Sequence, residues 1–460
     1  MMNLYYNTKK NKFTKTTIAN KTKKNVKING KIKKKNGWKI VEIYGKPFER
    51  GFAHGYLLAS DLLRVQKVLP FIVKEQLNTD FNSYLKISNE IILPIVENKY
   101  PEFFEEIKGI SYGAKKAGVI ISVEYLISWN AYLSLYSYYN DGKNKNDISK
   151  KTPETRQMRC SAFIACGNAT ETGEIVMAHN THSDFASGQI LNIILHVHPF
   201  NGNSFSMQTT PGYICSSSDW FITEKGIIGC ETTISDINYK PLFGSPYFCR
   251  IRQLMQYSNT LNDCVKILSD DNAGDYACSW LLGDVKNGEI LLFELGLNVF
   301  NIEKKNDGYF FGMNVPVDPI LRNIETNNND YDDTSTSVGS RNKRFEYLLG
   351  NKYKGKINLE NAKKIISDHY DCFLNKNKRN HRSICRHDEL DDEPSKINLN
   401  GSIDGKIVNT EMALNGVFLG KFGSSCGRVF NLNKFIKNKT NFKKWETVLD
   451  NIDNNEWTLL

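Results

Sequence analysis

The hydrophobic pattern of the chain changes period at one place, and that change limits the architectures open to it. Between residues 47 and 140, apolar side chains recur at helical spacing through RGFAHGYLLASDLLRVQKVLPFIVKEQL, FNSYLKISNEIILPIVENKY, PEFFEEIKGISYGAKKAG and SVEYLISWNAYLSLYSYY. Pro101 stands at a first helical position, and Ser122 reads as an N-cap with Glu124 close behind. Residues 141–158 are polar and without period, which marks a linker or an exposed loop. From Cys160 onward the chain reads as short β-rich runs broken by Gly, Asn and Asp turns: CSAFIACGNA, GEIVMAHN, QILNIILHVHPF, SFSMQTT, WFITEKGIIGCETTI, SWLLGDVKNGEILLFELG and GYFFGMNVP. Helical patterns intervene at about 246–258 and 260–270, then resume near 338–349 and 358–371 after a polar loop at 323–337. Strands, helices, strands and helices in blocks predict stacked sheets between helices, not an alternating βαβ fold.

The 460 residues suffice for a large core, and three stretches are expected. Residues 1–36 carry twelve Lys, no Arg and no acidic residue, so the net charge of +10 belongs to this Lys-rich tail. It has no apolar period and is expected to be disordered. A mostly helical segment at 37–159 follows, opening on the alternating strand WKIVEIYG, and then a part of strands and helices at 160–460. The tail lacks the apolar core of a signal peptide, and no apolar run reaches the roughly 18 residues of a membrane span, so a cytoplasmic or particle-packaged protein is expected. Any contact of the tail with nucleic acid or an acidic membrane would be non-specific and salt-dependent.

Phosphate-binding glycine motifs, GxSxG and HExxH are absent, and the ten cysteines form no CxxC pair. His369, Asp371, Cys385 and His387, in DHYD and CRHD, lack a recognised ligand spacing, so neither metal nor cofactor is expected. His54 in GFAHG is assigned to helix packing. The Arg159–Cys160 junction stands out. A cysteine at the start of a strand, directly after a polar linker, becomes an N-terminal residue if the preceding bond is cut. Its own α-amine, with an ordinary pKa of about 7.7–8, then lies within reach of the sulfur as a base.

Several segments in order resemble the penicillin acyltransferase-like and phospholipase B-like family of N-terminal-nucleophile (Ntn) amide hydrolases. They are GFAHG at 51–55, CSAFIACGNAT at 160–170, AHNTHSDF at 178–185, MQTTPGYICSSSDWFITEKGIIGCETTI at 207–234 and YACSWLLGDVKNGEILLFELG at 276–296, followed by SDHYD, ICRHDEL, SSCGRVF and a Trp457-containing end. The resemblance runs from about Trp38 to Leu460. It implies an α+β fold, an αββα sandwich of Ntn-hydrolase type preceded by a mostly helical pro-segment. It also implies an inactive precursor that cuts itself at Arg159–Cys160 by an N-to-S acyl shift, with fragments 1–159 and 160–460 remaining associated.

By the same resemblance Cys160 is the nucleophile, and His179, Asn180 and Asp184 are polar neighbours. His179 stands where many relatives carry Arg, which points to the phospholipase B-like branch. Glu231 would orient the α-amine, and Thr232 or Thr233 would face the nucleophile, with Thr232 donating to the oxyanion. Cys278 stands where relatives commonly have Asn. A thiol is a poor donor there, leaving Asn272, another side chain or a backbone N–H for the role.

The implied reaction is cleavage of a linear amide or a lipid acyl ester through a Cys160 thioester, resolved by water or an acceptor amine. The acyl group stays open, with apolar side chains of 57–99 as one candidate lining. A conventional Cys160–His179–Asp184 triad is the rival mechanism, with His182 as a further histidine nearby. The alternative from another class is a catalytically idle scaffold of this fold, acting through its basic tail.

Overall fold

The computed structural model describes residues 27–140, 160–327, 330–391 and 399–460. It opens on a hairpin where the sequence predicts the end of a disordered tail: β1 (Gly30–Lys35) pairs antiparallel with β2 (Trp38–Gly45). The connection is Asn36-Gly37, both at positive φ (46° and 81°), the dipeptide that a tight two-residue turn favours. Ile32 packs on the core while Lys31, Lys33, Lys34 and Lys35 face solvent, so lysine here blunts a sheet edge. Residues 1–26, the remainder of that expected tail, lie outside the described residues, as do the 141–158 linker and Arg159.

Helices fill residues 47–140 as the spacing predicts: α1 (Pro47–Leu57), α2 (Ala59–Leu77), α3 (Phe81–Ile87), α4 (Leu93–Lys99), α5 (Pro101–Lys116), α6 (Val123–Asn130) and α7 (Tyr132–Asn140). Ser122 accepts from the Tyr125 N–H as the N-cap of α6. GFAHG has a packing reason. A Cβ on Gly51 or Gly55 of α1 would sit 2.0 Å from the carbonyl oxygen of Glu106 or Ile110 on α5. Gly113 of α5 is equally tight against Phe52, at 2.1 Å. Backbones this close admit only glycine.

A nine-stranded sheet runs in the order β1-β2-β6-β7-β8-β9-β10-β11-β12. Its further members are β6 (Ile193–Pro199), β7 (Phe205–Thr209), β8 (Phe221–Thr223), β9 (Ile227–Thr233), β10 (Cys278–Asp284), β11 (Glu289–Leu295) and β12 (Phe300–Lys305). The helical segment thus enters the sheet through β2, which pairs parallel with β6. The second, six-stranded sheet comprises β3 (Ser161–Gly167), β4 (Gly173–Asn180), β13 (Gly308–Gly312), β17 (Asp404–Asn409), β18 (Leu419–Phe422) and β19 (Thr458–Leu459), in the order β13-β3-β4-β17-β18-β19. Two small pairs complete the strands: β5 (His182–Asp184) with β16 (Asn400–Ser402), and β14 (Tyr370–Asp371) with β15 (Lys376–Asn377).

Strand alternation explains the layers. On β3, Ala162, Ile164 and Cys166 join the core between the sheets, while Phe163 and Ala165 pack with Phe345, Ile365 and Ile366 of α12 (Ser337–Tyr347) and α13 (Leu359–Ile366). The larger sheet is covered by α9 (Tyr247–Tyr257) and α10 (Leu261–Ser269). Shorter helices α8 (Phe185–Gly188) and α11 (Pro319–Glu325) close the loops. The result is the expected αββα sandwich. With both faces covered, strands such as β9 and β10 are buried at every residue and read as near-continuous apolar runs. Helix α13 ends at Ile366, earlier than its pattern suggests, because the SDHYD segment leaves the helix for β14.

A buried ionic cluster bolts the helical segment to the later part. Glu106 of α5, fully buried, accepts from Arg50 Nε of α1 at 2.5 Å and from both terminal nitrogens of Arg252 on α9, at 3.0 and 2.8 Å. Arg50 also donates to Glu102 at 2.8 Å.

Candidate active site

Cys160 precedes β3 and continues its alternation, so it shares the inner side of the sheet with Ala162 and is only 2% exposed. Arg341, buried on α12, holds this end of the strand. One guanidinium nitrogen donates to the Cys160 carbonyl at 3.0 Å and to Ser161 Oγ at 3.1 Å; the other reaches the Met313 carbonyl at 2.7 Å and Asn314 Oδ1 at 3.0 Å. Burial, with the nearby Glu231 carboxyl, pushes the Cys160 thiol well above its ordinary value, although the His182 backbone N–H favours the thiolate. As an internal residue it is a protonated thiol.

β4 pairs with β3 so that His179 lies opposite Ala162 and Asn180 opposite Ser161, which sends the two side chains to different faces. His179, on the inner face, donates from Nε2 to the Glu231 carbonyl at 3.2 Å, and its buried Nδ1 has no partner among the described residues. Burial and the Lys406 ammonium hold it well below the usual histidine range, so it is neutral. Asn180 donates to the Ile366 and Ile384 carbonyls, at 2.5 and 3.5 Å, on the helix side of the sheet, so it does not join His179.

His182 Nε2 donates to Asp388 at 3.2 Å, and burial brings its pKa down to about 3. Asp184 caps the short helix α8, accepting from the Ser187 N–H at 2.9 Å, and burial raises its carboxyl. The structure therefore does not assemble the Cys160–His179–Asp184 triad: His179 is engaged by Glu231 and Asp184 by Ser187. The reason is local, since a carboxylate just before a helical turn is taken up by that turn's free N–H groups.

On β9, Thr232 points at the six-stranded sheet, where its side chain fills the space a Cβ on Gly312 would need, and its buried Oγ1 has no hydrogen-bond partner among the described residues. Glu231 points the other way and meets Asp219, a residue the sequence reading passed over. The Tyr276 hydroxyl lies 2.9 Å from Asp219 Oδ2 and 3.1 Å from Glu231 Oε1, and Thr233 donates to Glu231 at 3.4 Å. Burial raises both carboxyls, Asp219 to about 7 and Glu231 well above the ordinary value because the Asp219 charge adds to it. The pair is a buried reservoir of one exchangeable proton.

The oxyanion candidates fare differently. Asn272 donates to the Gly296 carbonyl at 2.7 Å and accepts from the Gly274 N–H at 3.1 Å, so its amide is committed to a turn and is not available as an oxyanion donor. Cys278 Sγ donates to the Tyr276 carbonyl, two residues back, at 3.5 Å. Lys406 of β17, fully buried opposite His179, was also missed; it binds Asp404 at 2.6 Å and Thr181 Oγ1 at 2.7 Å. His54 has the packing role expected: Nε2 accepts from the Gly212 N–H at 2.8 Å, and burial lowers its pKa to about 4.

A cavity of about 40 Å³ lies beside Asp184, lined by Trp129, Tyr132, Tyr136, Leu191, Tyr213 and Ser217 among others. From residues 57–99, only Gln76 reaches it. The apolar lining comes from α6 and α7, and the apolar side chains of α2 pack in the helix core, the default reading for that stretch. Sequence spacing offered no ligand set, but the fold brings together residues that are far apart along the chain. His369, Cys385, His387 and Cys426 bring one ligand atom each to within 4.8 Å of one another.

The fold and this site define a layered α+β protein with a buried strand-end cysteine. Residues 125–302 match the phospholipase B family model. An uncharacterized protein of Archaeoglobus fulgidus is 23% identical over 55% of this chain and 42% of its own length. Protein dcd1B of Dictyostelium discoideum is 22% identical over 64% of this chain and 59% of its own. The chain thus spans about half the length of these relatives. Among solved structures, two conjugated bile acid hydrolase variants from Clostridium perfringens align over 65% and 57% of this chain and 96% and 89% of their own. They are 10% identical, with TM-scores of 0.33 and 0.32, a likeness too distant to carry an activity. Among the described residues no helix is long and apolar enough to cross a membrane.

Proposed function

We propose that the chain is a self-processing hydrolase whose nucleophile is Cys160. The observation that carries the reading is the clamp on this one residue: Arg341 fixes its carbonyl, the His182 N–H supports its sulfur, and the strand it opens is buried between two sheets. In processing, the Cys160 sulfur attacks the Arg159 carbonyl and forms a thioester as the C–N bond to Cys160 breaks. The sulfur's proton passes to the leaving nitrogen. Water then releases residue 159 as a carboxylate and frees the thiol. The new α-amine supplies the base that the thiol lacks while it is an internal residue, and the thiolate it generates attacks the substrate acyl carbon.

Glu231, whose carboxyl is raised by burial, orients the amine, and Thr232 Oγ1, buried without a hydrogen-bond partner among the described residues, is the donor for the oxyanion. The aromatic lining of the cavity suits an apolar acyl group carried on an amide or ester. At about 40 Å³ it holds only a few waters, so cleavage must widen it before an acyl chain can enter. The β2–β6 pairing and the Arg50–Glu106–Arg252 cluster support lasting association of the two fragments.

Denaturing intact-mass measurement tests the processing step. Two fragments meeting at Arg159/Cys160, absent in Cys160→Ser, are expected; a permanently single wild-type chain at mildly acidic and neutral pH would refute it. One observation favours the idle scaffold: Asn272 and Cys278 both have their donors committed elsewhere. A chain that cuts itself yet turns over no acyl amide or ester, and gains turnover in Cys278→Asn, would support that second reading.

A further inference from the structure

We propose that His369, Cys385, His387 and Cys426 bind a structural zinc ion. The four come from three separate segments: SDHYD after α13, the SICRHDEL loop, and SSCGR after β18. Their ligand atoms lie within 4.8 Å of one another. Cys385 Sγ is 3.5 Å and Cys426 Sγ 3.3 Å from His387 Nε2. In a tetrahedron with Zn–S of about 2.3 Å and Zn–N of about 2.0–2.1 Å, a sulfur and a nitrogen are separated by about 3.6 Å. The cluster therefore needs only small shifts to close on an ion.

The groups around the four residues suit that purpose. His387 donates from Nδ1 to Glu389 Oε1 at 3.0 Å, which fixes the ring and leaves Nε2 aimed at the two sulfurs. His369 Nε2 is buried, its side chain interacts with the Cys426 thiol, and its ring lies 5.3 Å from that of His387. Ser425 Oγ, which also donates to the Ile366 carbonyl at 2.9 Å, is 3.3 Å from Cys385 Sγ, and Ser424 Oγ, which donates to the Arg428 carbonyl at 3.0 Å, is 3.5 Å from Cys426 Sγ. Two thiolates and two neutral imidazoles around Zn²⁺ make a site of zero net charge, with two thiol protons released to solvent on binding. Soft sulfur with imidazole selects zinc over magnesium or calcium. Four protein ligands leave no open position, so the ion is structural.

Its place in the fold says what it fastens. Between the two ligands of the CRH triplet, Arg386 receives the Ser402 N–H on its carbonyl at 3.0 Å and donates to Asp388 at 2.8 Å, and Asp388 holds His182. A zinc ion would lock this loop behind the residue whose N–H supports Cys160. The proposal does not depend on the hydrolase reading.

The test is metal analysis of the full chain, purified without affinity metals. About one zinc per chain is expected, lost in Cys426→Ser and in His387→Ala and retained in Cys264→Ser, a thiol bonded within α10. Cobalt put in place of zinc in the wild-type chain should show a tetrahedral spectrum with a near-ultraviolet thiolate charge-transfer band, a readout independent of how the variants fold. Folded wild-type protein with less than about 0.1 zinc per chain after zinc supplementation, or a Cys385–Cys426 disulfide in its place, would overturn the proposal.

Discussion

Replacing Glu106 by Gln strikes the contact that holds the helical segment to the sandwich. The carboxylate is fully buried between Arg50 and Arg252 and receives charge-assisted bonds from both. Gln keeps the shape but offers a single acceptor oxygen and no charge, so two guanidinium groups stay buried against a neutral amide. Removing one partner of a buried ionic cluster costs about 3–5 kcal/mol. Arg50 keeps its bond to the half-buried Glu102, which places the expected loss at the lower end, about 3 kcal/mol.

The assay is urea unfolding of Glu106→Gln in a Cys160→Ala background, which keeps one chain length in every sample. Glu289→Gln, which removes a half-exposed surface pair with Lys304 at 3.2 Å, is the control and should cost less than about 1 kcal/mol. The pH dependence has a definite sign. Burial would raise the Glu106 carboxyl, but Arg252 and Arg50 outweigh it, and its pKa lies below the ordinary carboxylate value. Its contribution is present above the unfolded pKa of about 4.3 and is lost as pH falls through the lower folded value. The gap between variant and wild type should therefore narrow only in strong acid. A loss under about 1 kcal/mol at pH 7, equal to the control, would refute the assignment.

Gly55→Ala puts a methyl 2.0 Å from the Ile110 carbonyl oxygen and should cost about 3 kcal/mol or more in the same assay; a neutral result would mean that α1 and α5 can separate freely. Asp219, raised to about 7 by burial, contributes stability that is present below its unfolded pKa and lost as pH rises through 7. Asp219→Asn should accordingly gain about 1–3 kcal/mol relative to wild type between pH 5 and 8, and parallel stability curves would contradict this. Arg341→Lys loses the fork that spans Cys160, Ser161, Met313 and Asn314, and fragment formation followed by gel should slow at least about tenfold; unchanged kinetics would separate the clamp from the chemistry.

Much of the fold was legible because periodicity reports burial directly. The helices of 47–140, the fully buried strands and the helix pairs all follow from spacing. The β1 strand was hidden by composition: lysines dominate it, and its one clear signal, Asn36-Gly37 ahead of an alternating run, is a turn signal and not a hydrophobic one. At the site, Cys160 stands just ahead of β3, and His179, Glu231 and Thr232 lie on strands with a fixed register. Asn180 and Asn272 could not be judged from sequence, since the face a side chain takes depends on pairing partners far along the chain. Asp219 and Arg341 carry no spacing signature; the acid's only cue is its place among Ser216–Ser218 and Trp220 in a buried loop. The zinc-ligand set is split by some 57 residues from His369 to Cys426, so no local motif exists to read.

The parallel pairing of β2 with β6 also constrains how the chain is made. β2 leaves the ribosome early with β1 already covering one edge, but its other edge waits for Ile193, roughly 150 residues later. At about 5–20 residues per second this is a wait of about 7–30 s with an apolar strand exposed, a window for chaperone capture or mispairing. Cys160 lies inside that interval. Under the self-processing reading, a cut made before β6 arrives would release a helical fragment that has no sheet to join. The closing of the β2–β6 seam must then come before the chemistry, and its slowness acts as the timer on maturation.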